Sequence, residues 1–205
     1  MKIIRCILDI KNTRSLFGVT IAKRIERQGQ LHLWNERPPG MAIDTIVVHY
    51  ISADETYPRA PFSLPAILKI FCDRGVSVHY LIDRGGTVFA LVPEYARGWH
   101  AGGSIMPAPD NRRNVNNFSI GIELIATPRC LITDAQYTAA AELCHDIQQR
   151  YKQPMVLVGH DDIAGARAVT LGLRPDLKKD PGRFFDWRRF KREIAGLSLF
   201  PLGGN

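Results

Sequence analysis

Three short apolar runs constrain the fold more than any other feature of this chain. Residues 45–50 read Thr-Ile-Val-Val-His-Tyr, residues 118–125 read Phe-Ser-Ile-Gly-Ile-Glu-Leu-Ile, and residues 155–158 read Met-Val-Leu-Val. Each is bounded by turn-forming residues, too short for an ordinary helix and rich in β-branched side chains, the pattern of strands covered on both faces. Helical patterns lie between and around them. Ser63 is placed to cap a helix that has Pro65 in its first turn, Ile67, Leu68, Ile70 and Phe71 as an apolar stripe, and Gly75 as its stop. Residues 134–151 give the strongest helix, with Thr133 and Gln136 as a capping box and Tyr137, Ala140, Cys144, Ile147 and Tyr151 at helical spacing. A last helix is predicted from near Asp186 to about Ala195. Residues 76–82 and 87–92 are predicted to pair as a hairpin about Gly85 and Gly86. Alternation of this kind predicts an α/β domain with a central mixed sheet flanked by helices. Ligand sites in such sheets gather outside strand ends.

The length of 205 residues suits one domain. With 45% hydrophobic and 23% charged residues, the chain has the composition of a folded protein and not of a disordered one. A Pro/Gly break at residues 37–41 separates an N-terminal extension, residues 1–40, expected to pack on the main domain at residues 41–196; residues 197–205 read as a tail. The extension holds strand-like pieces at residues 2–9 and 30–34. No apolar run approaches the roughly 18 residues of a membrane span. Arg5, Asp9 and Lys11 interrupt the region where a secretion signal needs continuous apolar residues, so a cytoplasmic location is expected. Cys6, Cys72, Cys130 and Cys144 show no CxxC spacing and are expected to be thiols in a reducing compartment. The net charge of +7 favours acidic partners. Basic residues are spread along the chain and thicken only at residues 174–192, so nucleic acid is not the expected partner.

Two histidines, His49 and His160, each follow an apolar strand-like run, from which a side chain can project toward a shared point. A catalytic zinc needs three protein ligands and one open position. Asp180, in the turn-forming sequence Lys178-Lys179-Asp180-Pro181-Gly182, is a candidate for the third, with Asp161 and Asp162 as alternatives. Spacing alone leaves a second reading open, in which each histidine is a hydrogen-bonded structural residue. HExxH is absent, which removes the helical metalloprotease arrangement. Residues 93–117 form a loop rich in Gly, Pro and Asn, of a length that usually serves function. Its Arg112 and Arg113 either meet a substrate carboxylate or remain solvated. His79 is expected to be a structural hydrogen-bonder, and His32 and His145 have no evident partners.

The segments IVVHY (46–50), SVHYLIDRGGTVFALVPE (77–94), GWHAGGS (98–104), NNFSIGIELIA (116–126), VGHDDIAG (158–165) and KKDPGRFFDW (178–187) occur in one register. Together they resemble the zinc-dependent N-acetylmuramoyl-L-alanine amidases, in their AmpD-like, amidase type 2 branch. That fold is shared with peptidoglycan recognition proteins and phage amidase-type lysozymes. The likeness spans roughly residues 43–190. It implies hydrolysis of the amide between N-acetylmuramic acid, or its anhydro form, and L-alanine of stem peptides, in muropeptide recycling. It implies one Zn2+ per chain on His49, His160 and Asp180, Glu123 as general base and then acid, and Lys178 as the oxyanion stabiliser, with Lys179 as the alternative. Tyr50, Trp99 and His100 fall where the family borders its substrate groove. The implied partners are peptidoglycan fragments or muropeptides, bound by a monomer, with neither nucleic acid nor membrane involved. Rival readings are a recognition module that binds without cutting, and a phage-type endolysin released to the wall at lysis. Two features depart from the family pattern: a longer connection between His160 and Asp180, and 36 N-terminal residues without a familiar counterpart.

Overall fold

The computed structural model describes residues 1–5 and 33–198. Cys6, His32, the tail from residue 199 and most of the predicted N-terminal strands lie outside the described residues.

The three apolar runs become the three parallel strands at the centre of the sheet. Strand β3 (Thr45–Ile51) is flanked on one side by β7 (Ser119–Ile125) and on the other by β8 (Val156–Gly159). Beyond β7 lie β4 (Tyr80–Ile82), parallel to it, and β5 (Val88–Ala90), antiparallel to β4. Strand β1 (Ile3–Arg5) closes that edge parallel to β5, so the six-stranded order is β1-β5-β4-β7-β3-β8. The mixed sheet and the hairpin are therefore as expected, although the hairpin ladder is shorter than predicted. Its missing pairs are redirected: Ser77 exchanges bonds with Trp99, and the His79 carbonyl accepts the N–H groups of Leu91 and Val92. A second, two-stranded sheet joins β2 (Trp34–Glu36) to β6 (Ala96–Gly98), the latter inside the segment expected to be loop.

Helix boundaries follow the local chemistry. Helix α1 (Leu64–Arg74) starts at Ser63, whose side chain accepts the Ala66 N–H, and ends at Gly75 with φ 63°. That left-handed conformation favours glycine. Helix α2 (Asp134–Tyr151) carries the full Thr133–Gln136 capping box. Gln136 also donates its amide to the Ile82 and Ile125 carbonyls, which ties the helix start to the ends of β4 and β7. Two short helices, α3 (His160–Ala164) and α4 (Ala166–Thr170), follow β8, and α5 (Trp187–Ser198) packs beside α2.

Strand alternation sorts the core. Ile46, Val48, Ile120, Ile122 and Leu124 face α2 and α5, where they meet Tyr137, Leu143, Cys144, Ile147 and Phe190. On the other face, Leu81 and Ile125 pack under Ile67, Leu68 and Phe71 of α1. Val47 packs with Met106, Val115, Phe118 and Ile163 in a separate cluster. By the two-residue repeat, Val47, His49, Gly121 and Glu123 share the face that lies between α1 and this second cluster.

The segment before the main domain is tied in by a half-buried cation. Ser77 Oγ donates to the Leu33 carbonyl. The Arg37 guanidinium donates to the carbonyls of Glu94 (3.0 and 3.2 Å), Asn116 (2.9 Å), Asn117 (3.0 Å) and Ser119 (2.9 Å). Burial brings its pKa down to about 10, which leaves it charged at neutral pH. No ammonium reproduces this planar fork. Arg37→Ala leaves four carbonyls without their charged donor and is expected to cost about 2–4 kcal/mol of stability. Arg37→Lys is expected to recover less than half of that in urea denaturation.

Candidate active site

The predicted ligands converge. His49, third from the C-terminal end of β3 and so within the strand, projects from the sheet face just described. His160 is the first residue of α3, directly after β8, and Asp180 lies in the turn that precedes α5. Asp180 Oδ2 is 3.1 Å from His49 Nδ1 and 3.1 Å from His160 Nδ1. One donor atom from each of the three lies within 4.8 Å of the others. The His49 and His160 rings meet edge to face, centroids 4.4 Å apart. The competing aspartates are committed elsewhere. Asp162 Oδ2 accepts the Gly159 N–H at 2.7 Å, and Asp161 borders a neighbouring hollow.

The hydrogen bonds behind the ligands decide what they present. His160 Nε2 lies 3.3 Å from the Ala101 carbonyl, which can only accept, so Nε2 carries the proton. In the tautomer with its proton on Nε2, His160 turns the Nδ1 lone pair toward Asp180. Burial holds the His49 imidazole down to about 4, with the nearby His160 adding to the effect, so the His49 ring is neutral at pH 7. A lone pair facing a carboxylate oxygen at this distance is repulsive unless a cation lies between them. The His2Asp donor set, convergent and largely buried, therefore fits a divalent ion.

Glu123 stands level with His49 in the β3–β7 ladder. Its Oε2 is buried without a hydrogen-bond partner. Burial first, and then the Asp180 charge, push its pKa well above the ordinary carboxylate range, against the opposing pull of Lys178. An orphaned carboxylate beside a candidate metal point is the arrangement expected of a proton carrier.

A cleft of about 170 Å3 opens over these groups, walled by Tyr50, Trp99, His100, Glu123, Lys178 and Asp180. On the other side of the 178–182 turn lies a hollow of about 500 Å3, lined by Tyr50, Leu131, Ile132, Lys178, Lys179 and Phe184. Lys178 borders both spaces, and Lys179 borders only the hollow. Trp99 is held by a bond from its indole N–H to Asn35 Oδ1 at 2.8 Å. His100 is set deeper, with Nδ1 3.1 Å from His49 Nε2. His79 accepts the Gly121 N–H at Nδ1 and faces the Ala96 carbonyl with Nε2, so it is a structural hydrogen-bonder and not a fourth ligand. Arg112 is not a substrate anchor either: it pairs with Asp44 and Asp110 and stacks on Phe118.

Sequence reasoning missed three contributors. Asn116 accepts the backbone N–H groups of His100 and Ala101, Arg37 clamps the same loop, and Gly121 makes room for the His100 ring. Only Gly121 left a signal, since a glycine inside a strand marks a close approach.

A family model described as N-acetylmuramoyl-L-alanine amidase matches residues 39–183. The 1,6-anhydro-N-acetylmuramyl-L-alanine amidase AmpD of Haemophilus influenzae is 34% identical over 182 residues, which cover 82% of this chain and 91% of that protein. A selenomethionine AmpD crystal structure superposes with TM-score 0.64 at 33% identity, covering 78% of this chain and 89% of that one. The Escherichia coli amidase AmiD, solved in complex with anhydro-N-acetylmuramic acid-L-Ala-D-gamma-Glu-L-Lys, superposes with TM-score 0.58 at 28% identity, covering 77% of this chain and 60% of that one.

The raised pKa of Glu123 has a consequence for stability. The folded state holds this proton to higher pH than the unfolded chain does, so stability falls as pH rises from the unfolded carboxylate pKa toward the folded one. Glu123→Gln removes that loss. In the metal-free protein at pH 7–8 the variant is expected to melt higher than wild type, by about 2–4 °C per kcal/mol recovered, and the gap is expected to close near pH 4.

Proposed function

The chain belongs to the N-acetylmuramoyl-L-alanine amidase family, and on that footing we propose that it is a zinc-dependent hydrolase of the amide between anhydro-N-acetylmuramic acid and L-alanine of peptidoglycan stem peptides, acting in muropeptide recycling. The observation that carries the reading is the convergence of His49, His160 and Asp180 beside the orphaned Glu123 carboxylate. We take residues 41–196 as the catalytic body, which helix α5 carries on to residue 198, residues 1–40 as an N-terminal extension whose described residues 33–40 pack on it, and the residues beyond α5 as a tail. We infer a cytoplasmic monomer that takes soluble wall fragments.

His49, His160 and Asp180 would hold the ion. When bound, zinc supplies Lewis acidity toward the scissile carbonyl and makes water acidic enough to react near neutral pH. Glu123 accepts the proton of the attacking water at its free Oε2 and delivers it to the departing alanine nitrogen, a use that its raised pKa suits. Lys178, at the mouth of the same cleft, meets the oxyanion of the tetrahedral intermediate, a contribution worth about 3 kcal/mol in comparable sites. Lys179 turns to the neighbouring hollow and is not given this role. Tyr50 and Trp99 border the cleft and orient the substrate, and the His100 ring closes its floor.

The purified protein is expected to hold close to one zinc per chain by elemental analysis, and Asp180→Ala is expected to lose it. Glu123→Gln is expected to keep the metal while cleavage falls about 10²- to 10⁴-fold. Lys178→Ala is expected to lower kcat about 10²-fold or more with the metal retained. Mass spectrometry after incubation with an anhydro-muropeptide, and separately with whole sacculi, identifies the substrate: released peptide from the fragment alone marks the recycling enzyme. Turnover of sacculi marks a lysin, and binding without release marks a recognition module.

A further inference from the structure

We propose that His100 is a positioning residue that fixes the tautomer of the metal ligand His49, through a chain of hydrogen bonds whose direction the structure determines. The proposal rests on the zinc reading above and adds a role that the ligand set alone does not define. Direction follows from the far end of the chain. The Val115 carbonyl can only accept, so Ser119 donates its one hydroxyl proton there, at 2.7 Å. Ser119 Oγ is then an acceptor toward His100 Nε2, 3.4 Å away, and His100 carries its proton on Nε2. Among the described residues no carboxylate contacts His100 to hold a second ring proton, so with Nε2 protonated Nδ1 presents a lone pair. His49 Nε2, at 3.1 Å, donates to it. With Nε2 protonated, His49 keeps Nδ1 free, and Nδ1 is the atom 3.1 Å from Asp180. His160 reaches the same state by another route, with the Ala101 carbonyl as its acceptor. Both ligands thus present Nδ1 because residues 100 and 101, adjacent in one loop, hold both Nε2 protons.

The fold builds a slot for this ring. A Cβ at residue 121 would lie 2.6 Å from His100 Cγ and 2.8 Å from Nδ1, so Gly121 leaves out a side chain where the imidazole crosses β7. The backbone N–H groups of His100 and Ala101 both donate to Asn116 Oδ1, at 3.2 and 2.8 Å. Arg37, outside the segment matched by the family model, clamps the carbonyls of Asn116, Asn117 and Ser119. The ring is held from beneath, from behind and at its far nitrogen.

Zinc affinity of the metal-free protein, measured by competition with a chromophoric chelator, tests the role without reference to turnover. His100→Phe keeps a ring in the slot and removes the acceptor; zinc is expected to bind about 10- to 100-fold more weakly. His100→Asn returns an acceptor oxygen near the Nδ1 position and is expected to recover most of that loss. At saturating zinc, His100→Phe is expected to keep KM within about twofold of wild type, as a residue acting through His49 would. Unchanged zinc affinity in His100→Phe, or a raised KM with affinity intact, overturns the proposal and makes His100 a substrate contact. Nitrogen-15 correlation spectra of the wild-type imidazoles need no variant: a proton on His49 Nε2 in the metal-free protein supports the chain, and a proton on Nδ1 overturns it. Wild-type protein that binds no zinc refutes the metal reading itself, a result separate from either of these.

Discussion

In the parallel ladder of β3 and β7, Val47 stands level with Gly121 and His49 with Glu123, and the site depends on that register. A slip of one residue would turn His49 and Glu123 to opposite faces of the sheet, because side chains alternate with a period of two. The register is held from the other face. Ile46, Val48, Ile120, Ile122 and Leu124 are fully buried against α2 and α5, and a slip would put polar groups into that contact. Burial on one side of the sheet thus fixes chemistry on the other. His160, just beyond the third parallel strand, joins the same point because β8 pairs with β3 in the same direction.

The site runs against the rules that stabilise the rest of the molecule. Around the site, several polar side chains find partners: Arg37 donates to four carbonyls, Gln136 completes a capping box, and Asn116 takes two backbone donors. At the cleft, Glu123 Oε2 has none, and the Nδ1 atom of His160 faces a carboxylate with a lone pair. Both features cost stability in the metal-free chain, and both match what a bound cation and an attacking water require. A surrounding scaffold of well-satisfied bonds tolerates this local loss, which is the usual relation between a catalytic centre and its support.

What the sequence made legible was the chemistry that acts over a few residues. The caps of α1 and α2, the left-handed stop at Gly75 and the three central strands are set by neighbours in the chain, and each lies within a residue or two of its expected place. His49 and His160 could be singled out as residue types, but their meeting with Asp180 is a long-range event. Spacing could not separate Asp180 from Asp161 and Asp162; the resemblance favoured Asp180, and the structure supplies the reason, since Asp162 is used as a helix cap. Strand β6 was read as loop because its three residues carry no alternating pattern and pair with a distant segment. The short helices α3 and α4 have five residues each, below the length at which periodicity is visible. Arg37 and His100 were seen as a break residue and a groove residue because neither the carbonyl cluster nor the slot over Gly121 exists in one dimension.

The connection between His160 and Asp180 leaves the convergence of these residues with His49 intact for a reason that can be traced bond by bond. The chain leaves the site at α3 and returns to it along the same backbone: the Lys178 N–H donates to the Ala164 carbonyl at 2.9 Å, and the Asp161 N–H donates to the Asp180 carbonyl at 2.8 Å. These two bonds bracket the excursion and set where Lys178 and Asp180 stand, whatever lies between. At the far end, the Leu173 carbonyl rests where a Cβ on Gly103 would be, 1.9 Å from it, so the connection packs on the loop that also carries His100 and Ala101. A closed detour of this kind lengthens the chain without moving its ends, and loop length itself adds little entropic cost. The connection therefore adds contacts behind the loop of His100 while the 178–182 turn keeps the position that β8 and α3 impose on it.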